Sequence, residues 1–242
     1  MTAIEPDRRN QDARSTETVV ADALGQLLAE RWSCRAFLAR PVERPTIERI
    51  LALAQRTASW CNAQPWQVIV TSGPATERFR DAMLRAASAG EAPCPDFPFP
   101  REYPGVYRER RRACGLQLYD SVGIAHGDRQ ASARQALENY RFFGAPHVAM
   151  VTTPEALGVY GAIDCGAYVS NFLLAARSLG VAAIAQAALA AWPDVVRAHF
   201  GLPDERQVVC GISFGYEDRE HPVNRYRTGR TALEDVVTWA EQ

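Results

Sequence analysis

The sequence lacks the short motifs that mark the commonest nucleotide, metalloprotease and hydrolase sites. No G-x-G-x-x-G follows a strand-like run, no G-x-x-x-x-G-K-[ST] occurs, and neither H-E-x-x-H nor G-x-S-x-G is present. These absences argue against a Rossmann nucleotide site, a P-loop NTPase, a zinc protease and an α/β-hydrolase. If the chain is an enzyme, we expect a bound cofactor to carry the difficult chemical step.

Cysteine and histidine are too few and too scattered to suggest a metal site. The chain has six cysteines and four histidines, without a C-x-x-C pair and without the short Cys/His spacings typical of zinc sites. We therefore expect free thiols, several of them buried, as is usual in a reducing compartment. The cysteines are Cys34, Cys61, Cys94, Cys114, Cys165 and Cys210.

Charge and hydropathy give no sign of several classes of partner. The formal net charge of −1 gives no reason to expect nucleic acid or an anionic membrane as a partner. No uninterrupted apolar run seen in the sequence is long enough to span a bilayer. Residues 1–12 are polar and charged and lack the apolar segment of a secretory signal, so we expect a cytoplasmic protein.

Apolar periodicity predicts one α+β domain with few strands. We expect a loose polar tail over residues 1–15 and a single domain over residues 16–242. Most of the domain has a helical pattern, including a last short helix at residues 232–240. Short apolar runs predict the strands, which are expected at residues 67–71, 147–152, 181–185 and 207–214.

Two segments stand apart from this core. Residues 91–143 begin as a proline-rich loop and continue as two helical segments, the second with Asp128 as its cap. This helical excursion suits a cap over an active site. Its basic run, residues 108–112, is either a solvated face or an attraction for anionic ligands. Residues 217–242 form a polar C-terminal arm.

The turn at residues 59–66, S-W-C-N-A-Q-P-W, joins a helical pattern to the first strand. It has two indoles, two side-chain amides, a hydroxyl and a thiol within eight residues. Amides can read the edge of a planar heterocycle and indoles can cover its face. The alternative is a plain helix-to-strand turn with two core tryptophans, since buried tryptophan is common.

A second block upstream favours the first interpretation. The pattern R-x-S-x-R-x-F at residues 31–37, then Pro41-Val42, a helix and S-x-x-N-x-Q-P-W, resembles the FMN-dependent nitroreductase family. The resemblance extends from Glu30 to the end of the chain and is weakest over residues 90–144. It implies a nitroreductase-like α+β fold, with a small central mixed sheet wrapped by helices. It also implies an intertwined homodimer with FMN bound at the subunit interface.

The resemblance assigns cofactor-binding roles to both blocks. It implies that the FMN phosphate contacts the first block and that a partner's turn closes over the isoalloxazine ring. Backbone N–H groups of residues 186–187 are expected near flavin N5 and O4, so that substitution of the Gln186 side chain should do little. The cofactor-binding residues are Arg31, Trp32, Ser33, Arg35, Ser59, Trp60, Asn62, Gln64, Gln186, Ala187 and Arg230, with Arg227 as the alternative to Arg230.

Physical chemistry supports these roles but leaves a simpler interpretation open. Guanidinium forks match the geometry of phosphate, and donors near N1 and O2 stabilise the negative charge that reduction builds there. Any one of these arginines is equally compatible with a solvated surface position.

Substrate residues are expected in the helical excursion. Its motifs, including Y-P-x-x-Y-x-x-R-R-R and N-x-x-F-F-G-A-P-H, resemble those of the subgroup that includes 4-nitrobenzoate reductases. Phe142 or Phe143 is then a candidate for the wall of the substrate pocket, and Arg141 for contact with a substrate carboxylate. Core or surface positions are the alternatives for all three.

The implied activity is hydride transfer from NADH or NADPH through flavin N5 to a nitroaromatic acceptor, giving nitroso and hydroxylamine products. Because donor and acceptor share one slot over the flavin, ping-pong kinetics are expected, and no protein side chain is assigned as catalytic. The alternatives are a flavin enzyme acting on quinones, enones or halogenated aromatics, and a flavin-binding protein without physiological turnover.

Overall fold

The computed structural model describes residues 8–90 and 92–240, with side chains described from Thr16 onward. The described chain forms seven α-helices and four β-strands in an α+β arrangement. The helices are α1 (Arg8–Glu30), α2 (Arg44–Ala54), α3 (Pro74–Ser88), α4 (Val106–Ser121), α5 (Arg129–Leu137), α6 (Gly158–Ser178) and α7 (Pro193–Phe200). The strands are β1 (Gln67–Val70), β2 (His147–Pro154), β3 (Ala182–Gln186) and β4 (Arg206–Gly215).

The sheet has the order β1-β2-β4-β3, and every strand pair is antiparallel. The expectation of a mixed sheet is therefore corrected. The parallel element in the described chain is an isolated bridge between Ser33 and Ala183, which attaches the residue 31–37 block to the outer side of β3. This bridge places the block at one edge of the sheet.

Apolar side chains cover both faces of the sheet, and they form one cluster on each face. Successive residues of a strand belong to different clusters because their side chains point to opposite faces. On β2, Ala149 and Val151 pack in a cluster with Phe172 of α6, whereas Val148 and Met150 pack in a second cluster with Phe79 of α3. The continuous apolar run of β2 is thus explained by burial on two sides rather than one.

Helix α6 lies at the centre of the first cluster, with Cys165, Tyr168 and Phe172 buried. Within the described chain, the stretch Glu155–Ser178 is long and apolar enough to cross a membrane by length and composition, which the sequence analysis had not recognised. The packing of one face of α6 against the sheet accounts for part of that composition, whereas Val159, Tyr160 and Ile163 on the helix remain exposed.

The two ends of the chain differ from the sequence expectation. Residues 1–7 of the expected tail lie outside the described residues, and α1 already begins at Arg8. The expected helix at residues 232–240 is instead a single 3-10 turn, Leu233–Asp235. Leu233, Val236 and Trp239 are exposed, so among the described residues this short segment does not pack on an apolar surface, and short isolated helices are marginal in water.

The helical excursion is anchored to the core at its proline-rich start. The Asp96 carboxylate accepts hydrogen bonds from Arg197 Nη1, at 2.8 and 3.0 Å, and from the Val208 N–H at 2.7 Å. Further along, Asp128 caps α5 as expected, since its carboxylate accepts the Ala131 N–H at 2.9 Å. The excursion is therefore an ordered part of the single structure.

Candidate active site

A cavity of about 330 Å³, here called the arginine cavity, lies where the end of α1 meets the C-terminal arm. The residue 31–37 block and the arm contribute its polar side chains, and the last turn of α1 and α4 complete its wall. Its lining residues are Leu28, Ala29, Arg31, Trp32, Ser33, Arg35, Cys114, Tyr226, Arg227, Thr228 and Arg230.

Four of these residues are arginines, and none of the four pairs with a carboxylate in the part of the chain that the structure describes. Burial lowers the pKa of Arg31, and the like charge of Arg230 lowers it further. Gathering like charges in one concave site is unfavourable unless an anion compensates them. The arrangement is that of an anion-binding site.

The arm fixes the backbone of the residue 31–37 block through Asn224, which is almost fully buried. Its Oδ1 accepts the Arg35 N–H at 2.9 Å, and its Nδ2 donates to the carbonyls of Ala36 at 2.8 Å and Asp218 at 2.9 Å. Sequence reasoning missed this residue, because two of its three partners lie almost 190 positions away and no motif marks it.

Trp32 forms part of the cavity wall between cationic groups. The Arg227 guanidinium lies 4.2 Å from the centroid of its ring, within the range of a cation–π contact. Trp32 Nε1 is buried and has no hydrogen-bond partner among the described residues. Since buried indole N–H groups are normally bonded, this donor is suited to an acceptor atom of a ligand.

The turn at residues 59–64 is strained and held by its own polar groups. Cys61, Asn62 and Gln64 have φ values of 50°, 56° and 48°, a region that non-glycine residues seldom adopt. Ser59 Oγ accepts the Gln64 N–H at 2.9 Å, and the Asp164 carboxylate of α6 accepts the Trp60 N–H at 3.2 Å. Backbone strain that polar contacts maintain is typical of functional sites.

The two side-chain amides of this turn, Asn62 and Gln64, differ in their hydrogen bonds. Gln64 Nε2 donates to Asn62 Oδ1 at 3.1 Å, and Gln64 Oε1 accepts from Gln55 at 3.1 Å. Asn62 Nδ2 has no partner within the described chain, so it remains free to donate to a ligand. Trp66 is buried against Tyr168, whereas Trp60 is 57% exposed, so only one of the two indoles is in the core.

In one chain, the turn and the arginine cavity do not meet. Trp60 and Cys61 line a separate cavity of about 250 Å³ with Tyr160 and Asp164 of α6, and that cavity shares no residue with the arginine cavity. The two blocks that the sequence analysis combined into one site are therefore distinct surfaces of the single chain.

Gln186 ends β3 and has a structural role that its motif did not reveal. Its Oε1 accepts from the Ser213 hydroxyl, and its Nε2 donates to the Asn139 carbonyl at 2.9 Å. These bonds attach the end of the helical excursion to the sheet, so the expectation that substitution of Gln186 does little is not supported. Ala187 begins the 3-10 turn Ala187–Ala190 directly after it.

The structure separates the three residues proposed for substrate contact. Phe142 is fully buried against Phe79, so it belongs to the core and is not available as a pocket wall. Phe143 lines a cavity of about 370 Å³ that also contains Arg35. Arg141 pairs with Glu138 at 2.6 Å on the surface, and it lines neither this cavity nor the arginine cavity.

The fold and the site together indicate the class of protein. The chain has an antiparallel sheet with a largely buried helix packed across it, a cavity rich in arginine and a strained turn that contains side-chain amides. Groups of three or more potential metal ligands do not occur in the described chain. The arrangement suits an anionic organic cofactor such as FMN, which the arginine cavity can meet with several guanidinium groups.

The chain belongs to the nitroreductase family, whose model matches residues 28–216. It is 37% identical over 223 residues to nitroreductase NfnB of Mycolicibacterium smegmatis, which covers 91% of this chain and 94% of the relative. It is 33% identical over 222 residues to a 4-nitrobenzoate reductase of a Nocardioides species, covering 90% of each.

A solved structure agrees with the family assignment. The crystal structure of the FMN-dependent nitroreductase NfnB from Mycobacterium smegmatis in complex with NADPH has a TM-score of 0.87 and 35% sequence identity. The match covers 92% of this chain and all of that one. The expected nitroreductase-like fold is confirmed.

Proposed function

We propose that this protein is an FMN-dependent oxidoreductase that uses NADPH or NADH to reduce nitroaromatic compounds. The observation that carries the proposal is the arginine cavity, in which four guanidinium groups and an unpartnered indole N–H converge. Among the described residues, none of the four guanidinium groups forms an ion pair with a carboxylate, and Glu217 interacts with Arg227 only at longer range. The names of similar proteins, which include FMN-dependent nitroreductase and 4-nitrobenzoate reductase, support the same reaction class.

The residues of the cavity fit an FMN phosphate. Arg31 and Arg35 supply guanidinium forks from one side, and Arg227 and Arg230 supply them from the arm. A dianionic phosphate with three terminal oxygens can accept several such forks and the Ser33 hydroxyl at once. Arg230 and its alternative Arg227 line the same cavity, so both are proposed as ligands.

We propose that the site is completed by a second copy of the chain. The turn with Asn62 is remote from the arginine cavity of its own chain, yet it borders an exposed apolar face of α6 that includes Val159, Tyr160 and Ile163. A homodimer that buries this face would bring the partner's turn to the flavin ring. Two-subunit sites of this kind explain why neither surface forms a complete site alone.

Bound FMN would supply hydride transfer between a reduced nicotinamide and an electron-poor acceptor. The protein's own groups position and polarise: Asn62 Nδ2 offers a donor for a ring carbonyl, and backbone N–H groups near Ala187 are proposed to bind the opposite edge. Positioning and electrostatic stabilisation account for most of what a protein contributes to such a reaction. Phe143 remains a proposed contact of the substrate.

The state of the cysteines bears on the cellular location of the protein. All six cysteines are free thiols, and Cys34 and Cys165 are buried. Free thiols without disulfides are usual in a reducing compartment, and this supports the cytoplasmic location that we propose.

The decisive experiment is an absorption spectrum of the purified protein before and after added FMN, followed by NADPH titration with and without 4-nitrobenzoate. We expect a yellow protein that NADPH bleaches, and recolouring with stoichiometric loss of the nitroarene. Bleaching with NADPH but turnover only with quinones would favour the alternative flavin enzyme. A protein that stays colourless after added FMN would refute the proposal.

Substitution of one arginine tests the position of the phosphate. Arg35→Ala should release FMN because one fork and one charge are lost, whereas Arg85→Ala, at an exposed position of α3, should retain it. Charge-assisted contacts of this kind are worth about 1.5–3 kcal/mol, which is about ten- to a hundredfold in FMN affinity. An Arg35→Ala protein that keeps full FMN affinity would contradict the assignment.

A further inference from the structure

A second basic cavity lies in the helical excursion, between α4 and α5. This α4–α5 cavity has a volume of about 590 Å³, within the range of small-molecule sites. Arg108, Arg111 and Arg112 lie on one side of it, and Leu116, Tyr119 and Ile124 give it an apolar lining. None of the residues proposed above for FMN or substrate binding lines this cavity.

The three arginines occupy one face of α4. Their spacing of i, i+3 and i+4 continues through Gly115, Leu116 and Tyr119, so the same helical face lines the whole cavity. Arg110, which belongs to the same basic run, lies about 160° away from both Arg108 and Arg112 around the helix axis and does not line the cavity. The basic run is therefore divided between a cavity face and an outer face.

This arrangement opposes the usual rules of helix stability. Like charges at i, i+3 and i+4 repel each other, and positive charge near a helix N-terminus is unfavourable with the helix dipole. Arg108 is the third residue of α4. In the described part of the chain, none of the three arginines has a carboxylate partner. All three side chains are exposed, and the Arg111 guanidinium lies 5.2 Å from the centroid of the Tyr103 ring, so solvent and this contact lower the repulsion, and a polyanionic ligand would compensate for the remainder.

The position of the cavity selects the type of anion. Cys114 lines both the α4–α5 cavity and the arginine cavity, so the two adjoin at the side where the proposed FMN phosphate is held. A single-ring nitroarene that stacks on the flavin ring is too small to reach beyond the flavin's phosphate. A dinucleotide is long enough to place its nicotinamide on the ring and its adenosine end beside that phosphate.

We propose that the α4–α5 cavity binds the adenosine end of NADPH, with Arg108, Arg111 and Arg112 on its 2′-phosphate. Tyr119, Leu116 and Ile124 offer the apolar contact that an adenine needs. Asp120 also lines the cavity, about 12 Å along the helix from Arg112, where it can accept from an adenine amino group without opposing the phosphate. The site would thus prefer NADPH to NADH.

The proposal rests on the proposed function, and the test separates the two. FMN-loaded protein is titrated calorimetrically with adenosine 2′,5′-bisphosphate and with adenosine 5′-monophosphate. The bisphosphate should bind at least about tenfold more tightly, since its extra phosphate meets charged donors. Equal affinities would overturn the proposal, whereas failure to load FMN at all would instead refute the proposed function.

Variants locate the contact. Arg108→Gln, Arg111→Gln and Arg112→Gln should each weaken bisphosphate binding by about tenfold and leave monophosphate binding and FMN content unchanged. Arg110→Gln makes the same charge change on the same helix and should leave both affinities within about twofold. An equal effect of Arg110→Gln would indicate only long-range charge and would overturn the proposal.

Rates of flavin bleaching give an independent readout. The three cavity variants should lower the apparent affinity for NADPH and leave that for NADH unchanged, because only NADPH carries the 2′-phosphate. Parallel loss with both donors would place the arginines on the shared pyrophosphate and would overturn the proposal. A raised KM for 4-nitrobenzoate, with an unchanged KM for NADPH, would assign the cavity to the acceptor and overturn it as well.

Discussion

At the scale of the single residue, the site depends on buried amides that hold other parts of the chain in place. Asn224 fixes the backbone of Arg35 and Ala36, and Gln186 fixes the end of the excursion to the sheet. Such buried amides satisfy backbone groups that would otherwise be unpaired, and leaving a buried polar group unpaired costs more than a bond contributes. The cavity arginines therefore have a rigid support.

Asn224→Ala should lower the free energy of unfolding by about 2–3 kcal/mol, since three buried hydrogen bonds lose their partner. FMN affinity should fall with it, because the Arg35 backbone is no longer held. Denaturant unfolding and flavin titration measure the two effects. Gln26→Ala, which removes an exposed amide bonded to Glu30, serves as the control and should change stability by less than about 0.5 kcal/mol.

His147 should make stability depend on pH. Its Nε2 accepts the Val42 N–H at 3.0 Å and its Nδ1 lies 3.1 Å from the Thr71 carbonyl, so the ring is neutral with the proton on Nδ1. Burial lowers the pKa of His147, and the Thr71 carbonyl offsets this only in part. The unfolded chain therefore takes up a proton near pH 6.5, where the folded chain does not.

The free energy of unfolding should therefore be highest above about pH 6.5 and fall as the pH drops below that value. His147→Gln should give a shallower decline between pH 7 and 5, measured by urea unfolding. Burial also lowers the pKa of His199, so part of the slope should remain. An identical slope in His147→Gln, or an equal flattening in His126→Gln at an exposed position, would contradict the role of His147.

At the scale of the element, one buried ion pair anchors the excursion that carries the proposed specificity. The side chains of Asp96 and Arg197 are 14% and 13% exposed, and Asp96 also accepts the Val208 N–H. Asp194 meets the same guanidinium from the solvent side, with a side chain that is 90% exposed. Arg197 thus has one mostly buried carboxylate partner, Asp96, and one exposed partner, Asp194, which allows the two contacts to be compared.

Asp96→Ala should destabilise the protein by about 3 kcal/mol, because it leaves a mostly buried guanidinium and a strand N–H without their acceptor. Asp194→Ala should cost less than about 1 kcal/mol, as exposed ion pairs do. Urea unfolding of both variants provides the comparison. Equal costs would show that the proline-rich segment is not held by the buried contact.

At the scale of the whole molecule, apolar surface remains uncovered in the single chain. Exposed residues recur on α1, on α6 and in the arm; they are Val19, Val20, Leu24, Leu28, Val159, Tyr160, Ile163, Leu233, Val236 and Trp239. Contiguous exposed apolar patches usually mark interfaces. The proposed homodimer would cover them and would bring the two halves of the site together.

If the proposed dimer forms, Ile163→Glu should convert it to monomers that still fold, since Ile163 is 58% exposed on α6 and is not part of the described core. The monomers should lose FMN, because the partner's turn is then absent. Light scattering at micromolar concentration and the flavin spectrum measure both. Monomers that keep tightly bound FMN would contradict a site shared between subunits.

Much of this could be predicted because it is local. The four strands and the Asp128 cap are encoded within short windows, and the structure confirms them, with strand ends shifted by one or two residues. The first helix was predicted less well, because α1 begins at Arg8, inside the expected tail. The two motif blocks indicated the family, which the comparison confirms. The helix predicted at residues 232–240 was wrong for a non-local reason, since its apolar residues stay exposed and do not pack on the described part of the chain.

The sequence by itself determined the residue types at the site: forks for a phosphate, amides for a heterocycle edge and no metal-ligand spacing. Only the tertiary structure decided which of them meet. It brought Arg227 and Arg230 to Arg31 and Arg35, buried Phe142 in the core, and divided the basic run of α4 into a cavity face and an outer face. Side-chain chemistry is a property of each residue, whereas proximity between distant residues depends on how the whole chain packs.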